Sequence, residues 1–343
     1  MIEAHTLDAW TRLSDRTSSA FRDAMVLAGF AAPLFLWLAG ITLVLAAEAT
    51  VRRGQPRRAA AELVCRRGLE VFVLAFLFRL QAFIVSPGAH PVTLFRVDIL
   101  NIMGPAIAVG GVIWLVSASR SVVFACYATI ATAFAMLTPL IRTAVVLSRL
   151  PIWVQWYIRP SGDNTTFTGF PWAGFVFAGA ATGVLLAAGR ATNTERRVQM
   201  GLAAAGVVLV AAGFYAASLP SIYRDSSFWT TSPAFFAIRV GVLMTALAVV
   251  YFAERVSSGR RIAPSALARF GRHSLFVYWI HVELVYGYAT WAIHRRLPLW
   301  GAVVACVLFA LLMYGAVVVR DRLVGRWRSR KKQISLQYKA STV

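Results

Sequence analysis

Cysteine and negative charge are both scarce in this chain. The 343 residues include only three cysteines, Cys65, Cys126 and Cys306, and none of them belongs to a CxxC pair or to a Cys/His spacing suited to zinc. We therefore predict neither a disulfide framework nor a metal site. Aspartate and glutamate number 14 against 35 lysines and arginines, which gives a formal net charge of +21.

Motifs of several common enzyme classes are also missing. The sequence contains no glycine-rich phosphate loop, no cluster of metal ligands and no recognisable Ser-His-Asp order. ATPase, metalloenzyme and hydrolase functions therefore have no support in the sequence.

Long apolar runs are the most abundant feature, since 59% of the residues are hydrophobic. Runs of this length predict an all-α, polytopic transmembrane helical bundle of about ten spans, or about eleven if a first helix is truncated at Met1. We expect one membrane domain over residues 1–322 and a basic cytoplasmic tail over 323–343. The clear runs lie at about 24–47, 69–85, 98–117, 120–140, 170–188, 200–219, 233–252, 273–291 and 299–319.

The arginines gather in short loops between these runs, a pattern that sets membrane orientation rather than binding nucleic acid. If the loop over 52–67 is cytoplasmic, the basic loops over 190–197 and 254–272 and the C-terminus are cytoplasmic too. The compact loops and few cysteines favour a bacterial inner membrane. The basic loops have two interpretations: they set topology and touch anionic lipid, or they hold the phosphates of a donor such as coenzyme A.

Five histidines are present, and His281 lies within an apolar run. Helical spacing places Ser274, Tyr278 and His281 on one stripe. Ionisable groups at such depth are costly unless partnered, so this stripe is a candidate functional site. The alternative is a buried histidine that ties two helices together.

Asp98 begins the run that contains Asn101. One interpretation is a helix-start carboxylate favoured by the helix dipole and paired with Arg96. The other is a carboxylate that orients a catalytic imidazole.

Four stretches resemble the bacterial relatives of heparan-α-glucosaminide N-acetyltransferase, within the membrane acyltransferase superfamily. They are APLFLWLAG at 32–40, FRVDILNIMG at 95–104, FPWAGFVFAGAATG at 170–183 and GRHSLFVYWIH at 271–281. They occur in the family's order. Members usually begin with a D-x-x-R-G helix that ends near a histidine or asparagine, and MIEAH resembles the end of that helix, with His5 at the polar position. We expect the preceding part of that helix to lie upstream of Met1.

The resemblance implies transfer of an acyl group, acetyl above all, from cytoplasmic acyl-coenzyme A to an amine or hydroxyl of a sugar or other envelope molecule on the outer side. No metal is expected. His5 would be the general base, and Asp98 and Asn101 would orient the acceptor or the base. His281, with Tyr278 and Ser274, would line the tunnel and polarise the thioester, and Arg272 and His273 would also contact substrate.

A different class of function remains open at this point. A small-molecule transporter, or an accessory subunit of a larger membrane complex, would also carry polar groups within its spans. Assembly into a homo-oligomer or a membrane complex is open as well.

Overall fold

In the computed structural model, which describes residues 1–86, 90–257 and 266–341, the regular secondary structure is helical. This confirms the all-α prediction. Helices suit apolar runs of this length because each backbone N–H and C=O group is paired within its own segment. The α-helices are α1 (Ile2–Trp10), α2 (Ser19–Ala28), α3 (Ala31–Arg52), α4 (Arg57–Val85), α5 (Ile99–Leu115), α6 (Arg120–Thr143), α7 (Ile152–Ile158), α8 (Gly169–Ala191), α9 (Glu195–Ser218), α10 (Pro233–Ser257), α11 (Ala266–Arg272), α12 (Ser274–Tyr286) and α13 (Leu299–Ser341).

Within those ranges, seven helical segments are long and apolar enough to cross a membrane. They are Ser19–Arg52, Arg57–Val85, Arg120–Thr143, Gly169–Ala191, Glu195–Ser218, Pro233–Val256 and Leu299–Trp327. Two shorter apolar helices, α5 and α12, accompany them. The nine apolar segments correspond to the nine runs located in the sequence, and together they make a polytopic helical membrane protein.

The run expected to continue from residue 273 to 291 is not one helix. α12 ends at Tyr286, and a 3₁₀ segment follows over Tyr288–Ile293. The hydroxyl of Thr290 donates to the carbonyls of Leu284 and Val285, at 2.7 and 2.8 Å. These carbonyls belong to the last turn of α12 and would otherwise lack a partner, so Thr290 fixes the helix end.

The described residues form two compact units. The first contains α1, α2, α11, α12 and α13, and the second contains α3 to α10 apart from Val85. The boundary expected between residues 322 and 323 falls inside α13, which continues without a break to Ser341.

In the second unit, α3 and α6 pack against α8, and α9 pairs with α10. The α3–α8 contact depends on glycine. A Cβ atom added at Gly179 would overlap the Trp37 carbonyl, and one added at Gly40 would overlap the Val176 carbonyl. Two of the resemblance stretches, 32–40 and 170–183, therefore meet through residues that let membrane helices approach closely.

In the first unit, α1 packs against α12 and α13. Trp10 is buried, and its ring meets Phe309 edge-on at a centroid distance of 5.5 Å. The end of α1 is also fixed by backbone hydrogen bonds. The N–H groups of Arg295 and Leu297 donate to the carbonyls of Ala9 and Trp10, both at 2.9 Å. These contacts hold the C-terminal end of α1 against the rest of the first unit.

Candidate active site

The structure brings together two of the histidines singled out from the sequence. His5 on α1 and His281 on α12 have ring centroids 5.3 Å apart, with the planes tilted by 50°. Both helices belong to the first unit. Two imidazoles at this distance can act on the same small group of reacting atoms.

His281 has its protonation pattern set by its own helix. Its Nδ1 lies 2.7 Å from the carbonyl oxygen of Val277. Because a carbonyl can only accept, Nδ1 carries the proton, and in the neutral imidazole Nε2 then bears a lone pair. His281 is 1% exposed, and its Nε2 makes no hydrogen bond within the described residues. The ring therefore presents a buried basic nitrogen to any ligand that reaches it.

His5 is half-buried and belongs to a short relay of hydrogen bonds. The hydroxyl of Tyr286 donates to Oδ2 of Asp8 at 2.8 Å. Nδ1 of His5 lies 3.3 Å from the same hydroxyl oxygen. Since the single phenolic proton is directed at Asp8, Nδ1–H of His5 is the donor to Tyr286. Nε2 of His5 is then also an acceptor.

The relay resembles the partner arrangements that support catalytic imidazoles. An acceptor at Nδ1–H fixes the tautomer and stabilises the imidazolium that forms when the other nitrogen takes a proton. Asp8 is held in turn by Arg16, whose Nη1 lies 3.5 Å from Oδ1. Helix geometry explains the placement, because Asp8 is one turn from His5 on the same face of α1.

Tyr278 and Ser274 differ in their relation to His281. Tyr278 is buried, and its ring meets the His281 imidazole edge-on at 5.9 Å. Ser274 is exposed in the first turn of α12, one turn before Tyr278. The expected stripe is therefore a single helix face, with only its two aromatic members packed together.

His273 lies in a separate charged cluster with α13. Its Nε2 is 2.9 Å from Oδ1 of Asp321, and Nη1 of Arg320 donates to its Nδ1 at 3.0 Å. Arg269 is 3.9 Å from the same carboxylate. Arg272 is exposed at the end of α11. The first turn of α12 therefore begins beside several cations.

Asp98 and Asn101 lie in the second unit, where they form a capping box at the start of α5. The backbone N–H of Asp98 donates to Oδ1 of Asn101 at 2.9 Å, and Asp98 forms an ion pair with Arg79. The helix-start interpretation is thus confirmed. The expected pairing of Asp98 with Arg96 is wrong, because Nε of Arg96 instead donates to the Thr166 hydroxyl at 3.0 Å. A role for Asp98 in orienting an imidazole stays a prediction.

Sequence reasoning missed Asp8 and Tyr286. A signal for Asp8 was available, since it follows His5 at a spacing of three. Tyr286 carried no such signal, because its partners are more than 270 residues away in the chain.

Asp15 lies outside the membrane segments and links the connection after α1 to the start of α13. Its Oδ1 accepts from Nε of Arg12 at 2.7 Å, and its Oδ2 accepts from the backbone N–H of Leu299 at 2.8 Å. These hydrogen bonds lower the pKa of the Asp15 carboxyl below its ordinary value, and the bond from Arg12 has the largest effect. The carboxylate also caps the start of α13.

Comparison with known families identifies the kind of protein. The family model described as heparan-alpha-glucosaminide N-acetyltransferase, catalytic, matches residues 1–223. The chain belongs to this family. No curated protein matches the chain. Membership confirms the resemblance seen in the sequence and makes the chain a membrane protein of the acetyltransferase type.

The matched residues include His5, Asp8, Asp98 and Asn101. His281 and Tyr286 lie beyond residue 223. The second imidazole and the middle of the relay are therefore placed by the packing of α12 against α1 rather than by the family match.

Proposed function

We propose that the protein is an integral membrane acyltransferase that moves an acetyl group from acetyl-coenzyme A to an amine or hydroxyl of a sugar or other envelope molecule. The observation that carries the proposal is the pair of imidazoles on α1 and α12. Each directs its Nδ1–H to a protein acceptor, so each has a basic Nε2. Family membership supports the same chemistry.

The reaction follows from these nitrogens. The acceptor's N–H or O–H proton passes to Nε2 of His5 while the acceptor atom bonds to the carbonyl carbon of the thioester. The carbon–sulfur bond then breaks, and the imidazolium returns the proton to the thiolate of coenzyme A. General base catalysis of this kind contributes about 10²- to 10⁴-fold.

His5 suits the base role because its imidazolium would be stabilised through Tyr286 and Asp8. His281 is the more deeply buried ring, and its Nε2 suits an acceptor of a proton or of an acyl group. Polarising the thioester carbonyl, the role first expected of His281, needs an N–H donor. His281 could supply one from Nε2 only after taking up a proton.

We propose that the donor enters from the start of α12. Arg269, Arg272 and Arg320 lie on α11 and α13 near that point and can hold phosphate oxygens through their guanidinium groups. His273 and His281 are eight residues apart, about 12 Å along a helix. The flexible arm of coenzyme A between its phosphates and its sulfur can span that distance.

On this proposal the basic loops and the C-terminus are cytoplasmic, and the acceptor is reached from the other face of a bacterial inner membrane. The orientation rests on the distribution of arginine, the choice of membrane on the compact loops and few cysteines, and the side of the acceptor on the family resemblance.

The test is transfer of labelled acetyl from acetyl-coenzyme A by the purified protein in detergent. The acceptor panel should contain amino sugars, neutral sugars and simple amines, with each product separated chromatographically. We expect label on at least one class of acceptor, and at least a hundredfold loss in His281→Asn. Saturable binding of acetyl-coenzyme A without transfer to any acceptor would overturn the proposal and favour a transporter or an accessory subunit.

A further inference from the structure

The second unit contains a cavity of about 250 Å³ that has an apolar wall and a polar end. None of its lining residues belongs to the imidazole site. It lies among α3, α8, α9 and α10. The apolar wall is formed by Leu38, Ile41, Leu45, Leu247 and Val250. The polar end is formed by Arg190, Glu195, Gln199, Tyr251 and Glu254.

Gln199 has a polar atom that needs a partner. The residue is 6% exposed, and its Oε1 is buried without a hydrogen bond to any of the residues that the structure describes. A buried amide oxygen left in this state destabilises the folded protein, because it has given up its hydrogen bonds to water without replacing them. Because Gln199 lines the cavity, a ligand that donates a hydrogen bond there would remove this cost.

Two of the other polar groups at this end are acceptors as well. Glu195 contributes one carboxylate, held 3.4 Å from Arg190, and Glu254 contributes a second. The hydroxyl of Tyr251 accepts from Nη1 of Arg255 at 2.7 Å. Two carboxylates and an amide oxygen favour a cationic ligand with several N–H donors. Arg190 favours a negative group close to that cation.

We propose that this cavity binds a phospholipid whose headgroup carries a primary ammonium, as phosphatidylethanolamine does. The ammonium donates to Oε1 of Gln199 and lies near the two carboxylates, while the phosphate faces Arg190. The first part of an acyl chain covers the apolar wall. The volume is below the roughly 300–1,000 Å³ of pockets that enclose a whole drug-sized ligand. A headgroup therefore enters, and the rest of the lipid stays in the bilayer.

The proposal does not depend on acyl transfer, so its test uses lipid binding alone. Purified, delipidated protein is titrated with phosphatidylethanolamine, phosphatidylcholine and phosphatidylglycerol of matched chains, and bound lipid is counted by native mass spectrometry. The phosphatidylcholine headgroup has three methyl groups in place of the N–H donors. We expect phosphatidylethanolamine to bind at least about tenfold more tightly than either other lipid.

Variants of the cavity sharpen the test. Gln199→Leu keeps the volume but removes the acceptor, and it should weaken phosphatidylethanolamine binding about tenfold without changing phosphatidylglycerol binding. Gln199→Glu adds a charge that an ammonium can pair with and should retain the preference. Gln55→Leu, at an exposed loop position, is the matched control and should bind as the unaltered protein does.

Phosphoethanolamine and ethanolamine distinguish a lipid from a free amine. If either soluble amine binds as tightly as the lipid, the occupant is a small amine and the lipid proposal is overturned. Equal binding of all three lipids, or an unchanged preference in Gln199→Leu, would overturn it as well.

Discussion

Replacing Tyr286 with phenylalanine tests the relay that supports His5. The substitution keeps the ring, which meets the His5 imidazole edge-on at 5.6 Å, and removes only the hydroxyl between His5 and Asp8. Nδ1–H of His5 then loses its acceptor, and the imidazolium loses the oxygen that stabilises it.

The magnitude follows from the hydrogen bond that is lost. A hydrogen bond to a charged group contributes about 1.5–3 kcal/mol, and each ~1.4 kcal/mol is a tenfold change in rate. We therefore expect kcat for acetyl transfer to fall roughly 10- to 150-fold in Tyr286→Phe. The KM for acetyl-coenzyme A should change little, since the hydroxyl acts through His5.

The pH dependence gives a second readout. The base is active when neutral, so the rate rises with pH until the imidazole is deprotonated. Without the tyrosine oxygen the imidazolium is less stable, and the rise should occur at lower pH. Asp8→Asn should shift it in the same direction. If Tyr286 had only a structural role, its replacement would not change the pH at which the rate rises.

Tyr288→Phe is the matched control, because this tyrosine is exposed and lies just beyond α12. It should keep the original rate and pH profile. A support role for the Tyr286 hydroxyl is excluded if Tyr286→Phe transfers acetyl within twofold of the unaltered protein, or if its only defect is a raised KM.

Three further predictions concern other parts of the structure. His281→Asn keeps a donor for the Val277 carbonyl but has no basic lone pair. Acetyl transfer should therefore fall at least a hundredfold while the thermal midpoint stays nearly constant. An active variant would exclude His281 from the chemistry. Gly179→Ala should lower the free energy of unfolding by about 1–3 kcal/mol, because the added methyl group overlaps α3. Gly201→Ala, whose methyl group meets open space, should not lower it. Equal denaturation midpoints for the two variants would contradict the close α3–α8 contact. Asp15→Asn should lower the thermal midpoint at neutral pH. This difference should shrink as the pH falls below about 4 and vanish once the pH is below the lowered pKa of the folded state, because the carboxyl stabilises the folded state only while ionised. A difference that persists in stronger acid would contradict this.

The helical architecture could be predicted because apolar length alone decides it. Nine runs in the sequence correspond to nine apolar helices in the described residues. The end of α12 could not be found in this way, since residues 287–291 contain no charged residue that would interrupt the apolar run. The signal there is the side chain of Thr290, which takes up the last carbonyls of the helix.

The site was predictable only in part. The helical stripe singled out His281, and the family resemblance singled out His5. Nothing in either local sequence indicated that the two rings meet, because their contact depends on how α1 packs against α12 across 276 positions of the chain.

Asp98 shows the same limit at a smaller scale. Its helix-start role was one of the two interpretations drawn from the sequence, and the structure adds Asn101 as the second member of the capping box. Its ionic partner, Arg79, comes from α4 rather than from the neighbouring residues. The helix-start role of Asp98 could be predicted from its position, whereas its ion pair with another helix requires the fold.

The imidazole pair can be tested by the initial rate of thiol release from acetyl-coenzyme A, measured with the purified protein and an accepted amine or alcohol. His5→Asn should be compared with His90→Asn, a matched variant at an exposed histidine. We expect thiol release to depend on the acceptor, to fall at least a hundredfold in His5→Asn and to be unchanged in His90→Asn. Equal rates for the two variants would contradict the assignment of acetyl transfer to the imidazole pair.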